Sequence, residues 1–180
     1  MNSIKSPVRW MTDNKYQNAA IGQRAIAHAD SQVGILESGP NQGQRVEEYQ
    51  EISGLGRGGG YPWCACFVYW CLVKSGTNPK FLPAVGACAA VRNWIKWAKS
   101  NSKRIQKPHR GALFYWLNQD QTGHIGFCLG PTVLGIFRTI EGNTDREQGS
   151  REGDGVYKRT RTLWQLKSKH QFGFISLENL

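Results

Sequence analysis

Between residues 23 and 33 the apolar positions Ala25, Ile26, Ala29 and Val33 recur at three- and four-residue intervals, the period of one helix face. The stretch 38–43 (SGPNQG) reads as a loop, and 44–52 has the pattern of a short second helix. Five glycines within residues 54–60 break the chain. Pro62 then opens an apolar segment that runs to Ser75 and stops at Gly76. Proline suits a first helical turn, where its missing N–H is not needed, so Cys64 is expected in the first turn of this helix. Residues 77–83 read as a loop. The segment 87–99 predicts an amphipathic helix with Val91, Trp94, Ile95 and Ala98 on its apolar face. After a turn at 107–111 the pattern changes. Short aromatic and β-branched runs at 112–117, 124–129 and 133–141 alternate with turns, and 155–160 and 172–176 add two more candidate strands. Helices first and strands afterwards predict an α+β fold, with N-terminal helices packed on one mainly antiparallel sheet.

A length of 180 residues suits one domain with one core, and 39% hydrophobic with 20% charged residues excludes a disordered chain. Mean hydropathy is -0.50, and the longest apolar run, 64–73, is far too short to span a bilayer. Residues 1–16 are polar and lack the apolar stretch of a secretory signal. A soluble chain made in the cytoplasm is expected, without membrane insertion, and any action outside the cytoplasm needs separate delivery.

Charge alters the picture further. The formal net charge is +10, unevenly spread: residues 1–60 carry six basic and six acidic side chains, whereas 74–110 carry nine basic and no acidic ones. Arg92, Lys96, Lys99 and Lys103 fall at helical spacing and predict one basic stripe, either a solvated face or a surface that concentrates polyanions. No zinc finger, recognition-helix pattern or RNA-binding aromatic motif accompanies it, so a nucleic-acid partner is not expected. The five cysteines, Cys64, Cys66, Cys71, Cys88 and Cys128, are odd in number and do not describe a disulfide framework. The first four lack the paired CxxC spacing of a zinc site, and no metal is expected.

Position singles out Cys64. A helix N-terminus carries partial positive charge and free N–H groups, which favour a thiolate and can hold an oxyanion. Cys71 lies two turns deeper. Among the histidines, His124 stands in Gly123-His124-Ile125-Gly126 at the start of an expected strand, where a base on a rigid element can face a helix end. His28, His109 and His170 read as surface or structural. The strand 133–141 ends in Glu141-Gly142-Asn143-Thr144, so Glu141 or Asn143 can accept the second imidazole N–H. If His124 and Glu141 lie on adjacent antiparallel strands, their side chains can meet across the pair.

These segments resemble a known family. Pro62-Trp63-Cys64-Ala65-Cys66-Phe67-Val68-Tyr69-Trp70-Cys71-Leu72 resembles the nucleophile helix of the CHAP domain, the cysteine, histidine-dependent amidohydrolase/peptidase of the NlpC/P60-like papain-fold superfamily. Gly111-Ala112-Leu113-Phe114 with Gly123-His124-Ile125-Gly126 resembles its histidine strands, and Thr139-Ile140-Glu141-Gly142-Asn143-Thr144 its third motif. Glu37-Ser38-Gly39-Pro40-Asn41 with Val46 to Tyr49 is similar to the lead-in of phage-type members. The resemblance covers roughly residues 20–176 and implies a single catalytic domain, 1–180, of papain-like α+β fold. Carried over residue by residue, it implies Cys64 as nucleophile, His124 as general base, Glu141 as the group that orients the imidazole, and Asn143 as a polar residue assisting the site. Some members bind calcium through an acidic loop upstream of the nucleophile. Residues 54–60 contain no Asp or Glu, so no calcium and no other cofactor is expected.

The implied substrate is peptidoglycan, cleaved at the N-acetylmuramoyl–L-alanine link or within a stem or cross-bridge peptide. Tyr61 and Trp63 are expected to flank the cleft and contact substrate, the core being the other place open to them, for Trp63 above all. The alternatives are a small-molecule amidase of the glutathione–polyamine type, or a non-catalytic module whose basic face binds an acidic partner. Two settings fit the expected lack of a signal: a phage lysin, or an antibacterial effector delivered by a secretion system to a rival's periplasm. In the second, an acidic immunity protein would enter the cleft near Cys64, steered by the basic stripe.

Overall fold

The computed structural model describes residues 20–145 and 153–180; the polar segment 1–16 lies outside the described residues. Four helices come first: α1 (Ile21–Ser31), α2 (Gln44–Ile52), α3 (Cys64–Lys74) and α4 (Val91–Ser100). The strands follow: β1 (Arg104–Ile105), β2 (Leu113–Leu117), β3 (Gly123–Cys128), β4 (Ile136–Thr144), β5 (Gly155–Thr162) and β6 (Gln171–Ile175), with α5 (Leu163–Lys167) before β6. They form one sheet in the order β1-β6-β2-β3-β4-β5, every neighbouring pair antiparallel. The architecture is α+β, as the succession of patterns predicts, and is consistent with a papain-like arrangement of N-terminal helices on a sheet.

Helix α3 is apolar all round, and its residues from Cys64 to Leu72 are all buried. Such a helix has no solvent face and must be enclosed. It packs against α1, α2, β3 and β4. Tyr49 of α2 stacks on Trp63 and meets Phe67 and Trp70 of α3 at ring separations of 5.6, 5.5 and 5.2 Å. The sheet follows the two-residue period. On β2, Leu113, Tyr115 and Leu117 join the core under the helices, whereas Phe114 points to the other face, into a smaller cluster with Cys128, Phe137, Leu166 and Phe174. α5 covers that second face through Leu166.

Three local expectations change. Trp63 has a non-helical backbone (φ -124°, ψ 12°) and is the N-cap, so Pro62 precedes the helix and Cys64 becomes its first residue. Lys103 lies beyond the end of α4, and its ammonium donates to the carbonyls of Glu178 and Asn179 at 2.5 and 3.2 Å. The exposed stripe is therefore Arg92, Lys96 and Lys99. Residues 133–135 are not strand: Val133 and Ile136 bridge each other in a tight turn, and β4 starts at Ile136. β1 and α5 have two and five residues, too few for a periodic pattern to reveal. α5 is instead fixed by a capping box, with Thr162 and Gln165 bonding each other's backbone N–H.

The first helix approaches the turn before β2 so closely that only glycines fit. A Cβ on Gly22 would lie 2.5 Å from the carbonyl oxygen of Gly111, and Gly111 itself has φ +93°. Gly22→Ala should lower stability by about 1–3 kcal/mol, the usual cost of forcing volume into a packed contact. Urea unfolding checks this, as a lowered midpoint with an unchanged slope.

Candidate active site

The first N–H groups of a helix have no intrahelical acceptor, and Trp63 supplies no side-chain cap to α3. Cys64 sits at that end, 6% exposed, with its sulfur 3.9 Å from the Gly123 carbonyl oxygen. The sulfur thus meets the start of β3, one residue from His124, and lies close enough to favour the charged imidazole.

β3 and β4 are neighbours in the sheet, with Phe127 opposite Ile140 and Cys128 opposite Thr139. Continuing that register brings Glu141 beside Gly126 and diagonal to His124, which is how the two side chains meet. His124 Nε2 lies 2.8 Å from Glu141 Oε2, which leaves Nδ1 as the nitrogen for the thiol. Gly126 makes room: a Cβ there would stand 2.9 Å from Glu141 Cγ and 2.9 Å from the Phe114 ring. Gly142 does the same towards the helix, where a Cβ would fall 2.7 Å from atoms of Phe67 and Trp63.

Glu141 is fully buried. Three groups besides His124 satisfy its two oxygens. Thr139 Oγ1 donates to Oε1 at 2.5 Å, Arg161 Nε to Oε1 at 2.8 Å and Arg161 Nη2 to Oε2 at 2.5 Å. Burial alone would raise the pKa of this carboxyl, but Arg161 and then His124 outweigh it and hold the group well below the ordinary carboxylate range. Burial also opposes charge on His124. The Cys64 thiol and the Glu141 carboxylate prevail, raising the imidazole to about 9. The arrangement is a helix-end thiol, an imidazole disposed to carry a proton at neutral pH, and an ionised acid fixing the ring.

Arg161 is the residue sequence reasoning misses. Its signal is faint: Arg159 and Arg161 alternate on one face of β5, and two cations on a strand face beside a sheet interior require acids opposite. Arg159 has its own acid, its guanidinium reaching the Asp145 carbonyl at 2.6 Å and the Asp145 carboxylate at 3.5 Å.

The remaining candidates divide. Asn143 lines the cleft with φ +53°, just where the β4–β5 pairing slips between Glu141 and Thr144. With its amide turned to satisfy both ends, Oδ1 accepts from the Trp63 N–H at 3.1 Å and Nδ2 donates to the Gly153 carbonyl at 3.2 Å. It therefore ties the end of β4 to the start of α3. Trp63 does not face substrate. Its ring is fully buried, and its indole N–H donates to Glu37 Oε1 at 2.6 Å. The expectation of a substrate contact is corrected, because Tyr49 and Phe67 enclose the ring. Tyr61 is 44% exposed but is not among the cleft-lining residues. Its ring folds back over Gly59.

The cleft has a volume of about 810 Å³ and holds Cys64, His124, Asn143 and Arg161 together. A larger recess of about 1030 Å³, between α1 and the β3–β4 turn, contains none of them. The other four cysteines are buried free thiols away from the cleft, and burial raises each of their pKa values, Cys66 to about 12. Among the described residues no three His, Cys, Asp or Glu side chains gather as a metal site, and no helix is long and apolar enough to cross a membrane.

The CHAP domain model matches residues 56–143, from the glycine-rich break to Asn143. This is the family that the motifs resemble, and the match points to hydrolase chemistry of the amidase or peptidase kind, with peptidoglycan as the associated substrate. No curated protein and no solved structure matches the chain.

Two measurements follow from the charges. An imidazole of pKa about 9 keeps its proton up to that value and loses it above, so the imidazole NMR titration of His124 should have a midpoint near 9. It should fall in Cys64→Ala and in Glu141→Gln, each of which removes a group that favours the cation; an unchanged midpoint in both would refute the assignment. Arg161→Met strips a buried carboxylate of its cation and should cost about 3–5 kcal/mol at neutral pH. Because the folded-state pKa of Glu141 is depressed, its contribution is present above the ordinary value of 4.5 and fades as pH falls below it. The gap in melting temperature between the native protein and Arg161→Met should therefore narrow with acid.

Proposed function

We propose that this protein is a cysteine peptidoglycan hydrolase that cleaves an amide bond of the wall. The observation that carries the reading is the juxtaposition of Cys64 at the start of α3 with His124, itself bonded to buried Glu141. The sulfur, its proton held by His124 Nδ1, attacks the carbonyl carbon. The C–N bond then breaks as the imidazolium protonates the leaving amine, and a thioester remains. Water deprotonated by His124 attacks it, the carboxylic acid departs and the thiol is restored. Glu141 stays ionised throughout and holds the ring in one orientation. The N–H of Cys64 and others of the first turn of α3 face the developing oxyanion.

The wall substrate is supported by the family match. Its bond is either the N-acetylmuramoyl–L-alanine amide or one within the stem or cross-bridge peptide. The setting proposed is delivery to the wall, during phage lysis or by a secretion system into a rival's periplasm, with an acidic immunity protein in the second case. The exposed Arg92, Lys96 and Lys99 supply a positive face for such an encounter.

Purified Gram-negative peptidoglycan, incubated with the native protein and with Cys64→Ala and examined by mass spectrometry, tests this directly. Only the native protein should release fragments, with a loss of at least about a thousand-fold in the variant, and their masses name the bond. Release by neither folded protein would discard the wall substrate and favour a small-molecule amide or a binding role.

A further inference from the structure

One wall of the cleft belongs to neither the nucleophile helix nor the catalytic strands. It is built from α5 and the turn behind it, and carries Trp164, Leu166 and Lys169. Trp116 of β2 stands opposite His124 in the sheet register, their ring centroids 5.8 Å apart. The Lys169 ammonium lies over the Trp116 ring, 4.3 Å from its centroid. A cation therefore sits one indole ring away from the catalytic imidazole.

The charges around the cleft are unequally used. Arg161 is engaged by Glu141, and Arg159 by Asp145. Asp120, which shares an adjoining recess with Lys169, directs its carboxylate to the N–H and hydroxyl of Thr122. Among the described residues Lys169 has no acidic partner. The indole beneath it limits the excursions of a long side chain without neutralising its charge, so the ammonium is held in place for an anion. Trp164, on the same wall, is 80% exposed and, among the described residues, stacks on no other ring. An indole presented to solvent inside a reaction cleft is a surface against which a flat amide or an aliphatic stem can lie.

We propose that Lys169, seated on Trp116, forms with Trp164 a subsite that selects amide substrates bearing a free carboxylate beside the scissile bond. It rests on the hydrolase reading and adds to it a substrate class: an anionic peptide rather than a neutral or polycationic amide. The ammonium pairs with the carboxylate, and Trp164 packs along the adjoining peptide. A single ammonium suits a monoanion, which needs no bidentate fork.

The test is binding to Cys64→Ala, which cannot turn substrate over. A synthetic peptidoglycan stem tetrapeptide with its carboxylates intact and the same peptide with every carboxylate converted to a carboxamide are titrated calorimetrically. Amidation should weaken binding at least about tenfold. In Cys64→Ala/Lys169→Gln the two peptides should bind within about twofold of each other, whereas Lys169→Arg should retain the preference. Trp164→Ala should weaken both peptides alike. Equal affinity for the two forms, a preference surviving Lys169→Gln, or no binding of either would overturn the subsite. Cleavage of the acidic peptide by the native protein is scored separately. A retained carboxylate preference without cleavage would remove the hydrolase reading and leave the subsite standing.

Discussion

A carboxylate with no contact with water is expensive unless positive charge and hydrogen bonds come to it. Glu141 meets that condition at one place only, where β3, β4 and β5 run side by side. His124 takes one side, Arg161 spans both oxygens, and Thr139 closes the remainder. The requirement propagates outwards. Gly126 gives way to the acid's stem, Gly142 to the rings of Phe67 and Trp63, and the slip in the β4–β5 pairing after Glu141 releases Asn143 to bond the start of α3. Cys64 and His124 thus belong to separate layers and are brought into register by one buried charge.

Much of this was legible in the chain because local chemistry and backbone position coincide. Cys64 is distinguished from Cys71 by its place at a helix start. His124 stands between glycines at a strand start, and Glu141 and Asn143 occupy the end of the next strand, so a two-strand pairing brings them together. What stays hidden depends on distance in sequence. Arg161 is twenty residues from Glu141, and nothing in its neighbourhood names the acid it meets. Trp63 misleads for a related reason: a residue adjacent to Cys64 can turn inwards. Trp63 does so because Tyr49, Phe67 and Glu37 receive it. Lys103 satisfies the helical spacing of the basic stripe, yet the helix ends first and the C-terminal carbonyls capture its ammonium.

The positive charge of the chain falls into two populations. Arg92, Lys96 and Lys99 are exposed on α4, where they shape the long-range field and the rate of encounter. Arg159 and Arg161 are drawn towards the sheet and pair with half-buried Asp145 and buried Glu141, and so contribute little to that field. Net charge alone does not separate these uses; burial does.

The unequal state of the five sulfurs has a practical consequence. Cys66, Cys71, Cys88 and Cys128 are enclosed, and burial keeps them as neutral thiols, whereas Cys64 alone borders the cleft. To a haloacetamide or a vinyl sulfone the folded molecule presents a single attackable sulfur in spite of its cysteine content. One equivalent of label therefore counts folded molecules through Cys64 and leaves the four enclosed thiols unmodified.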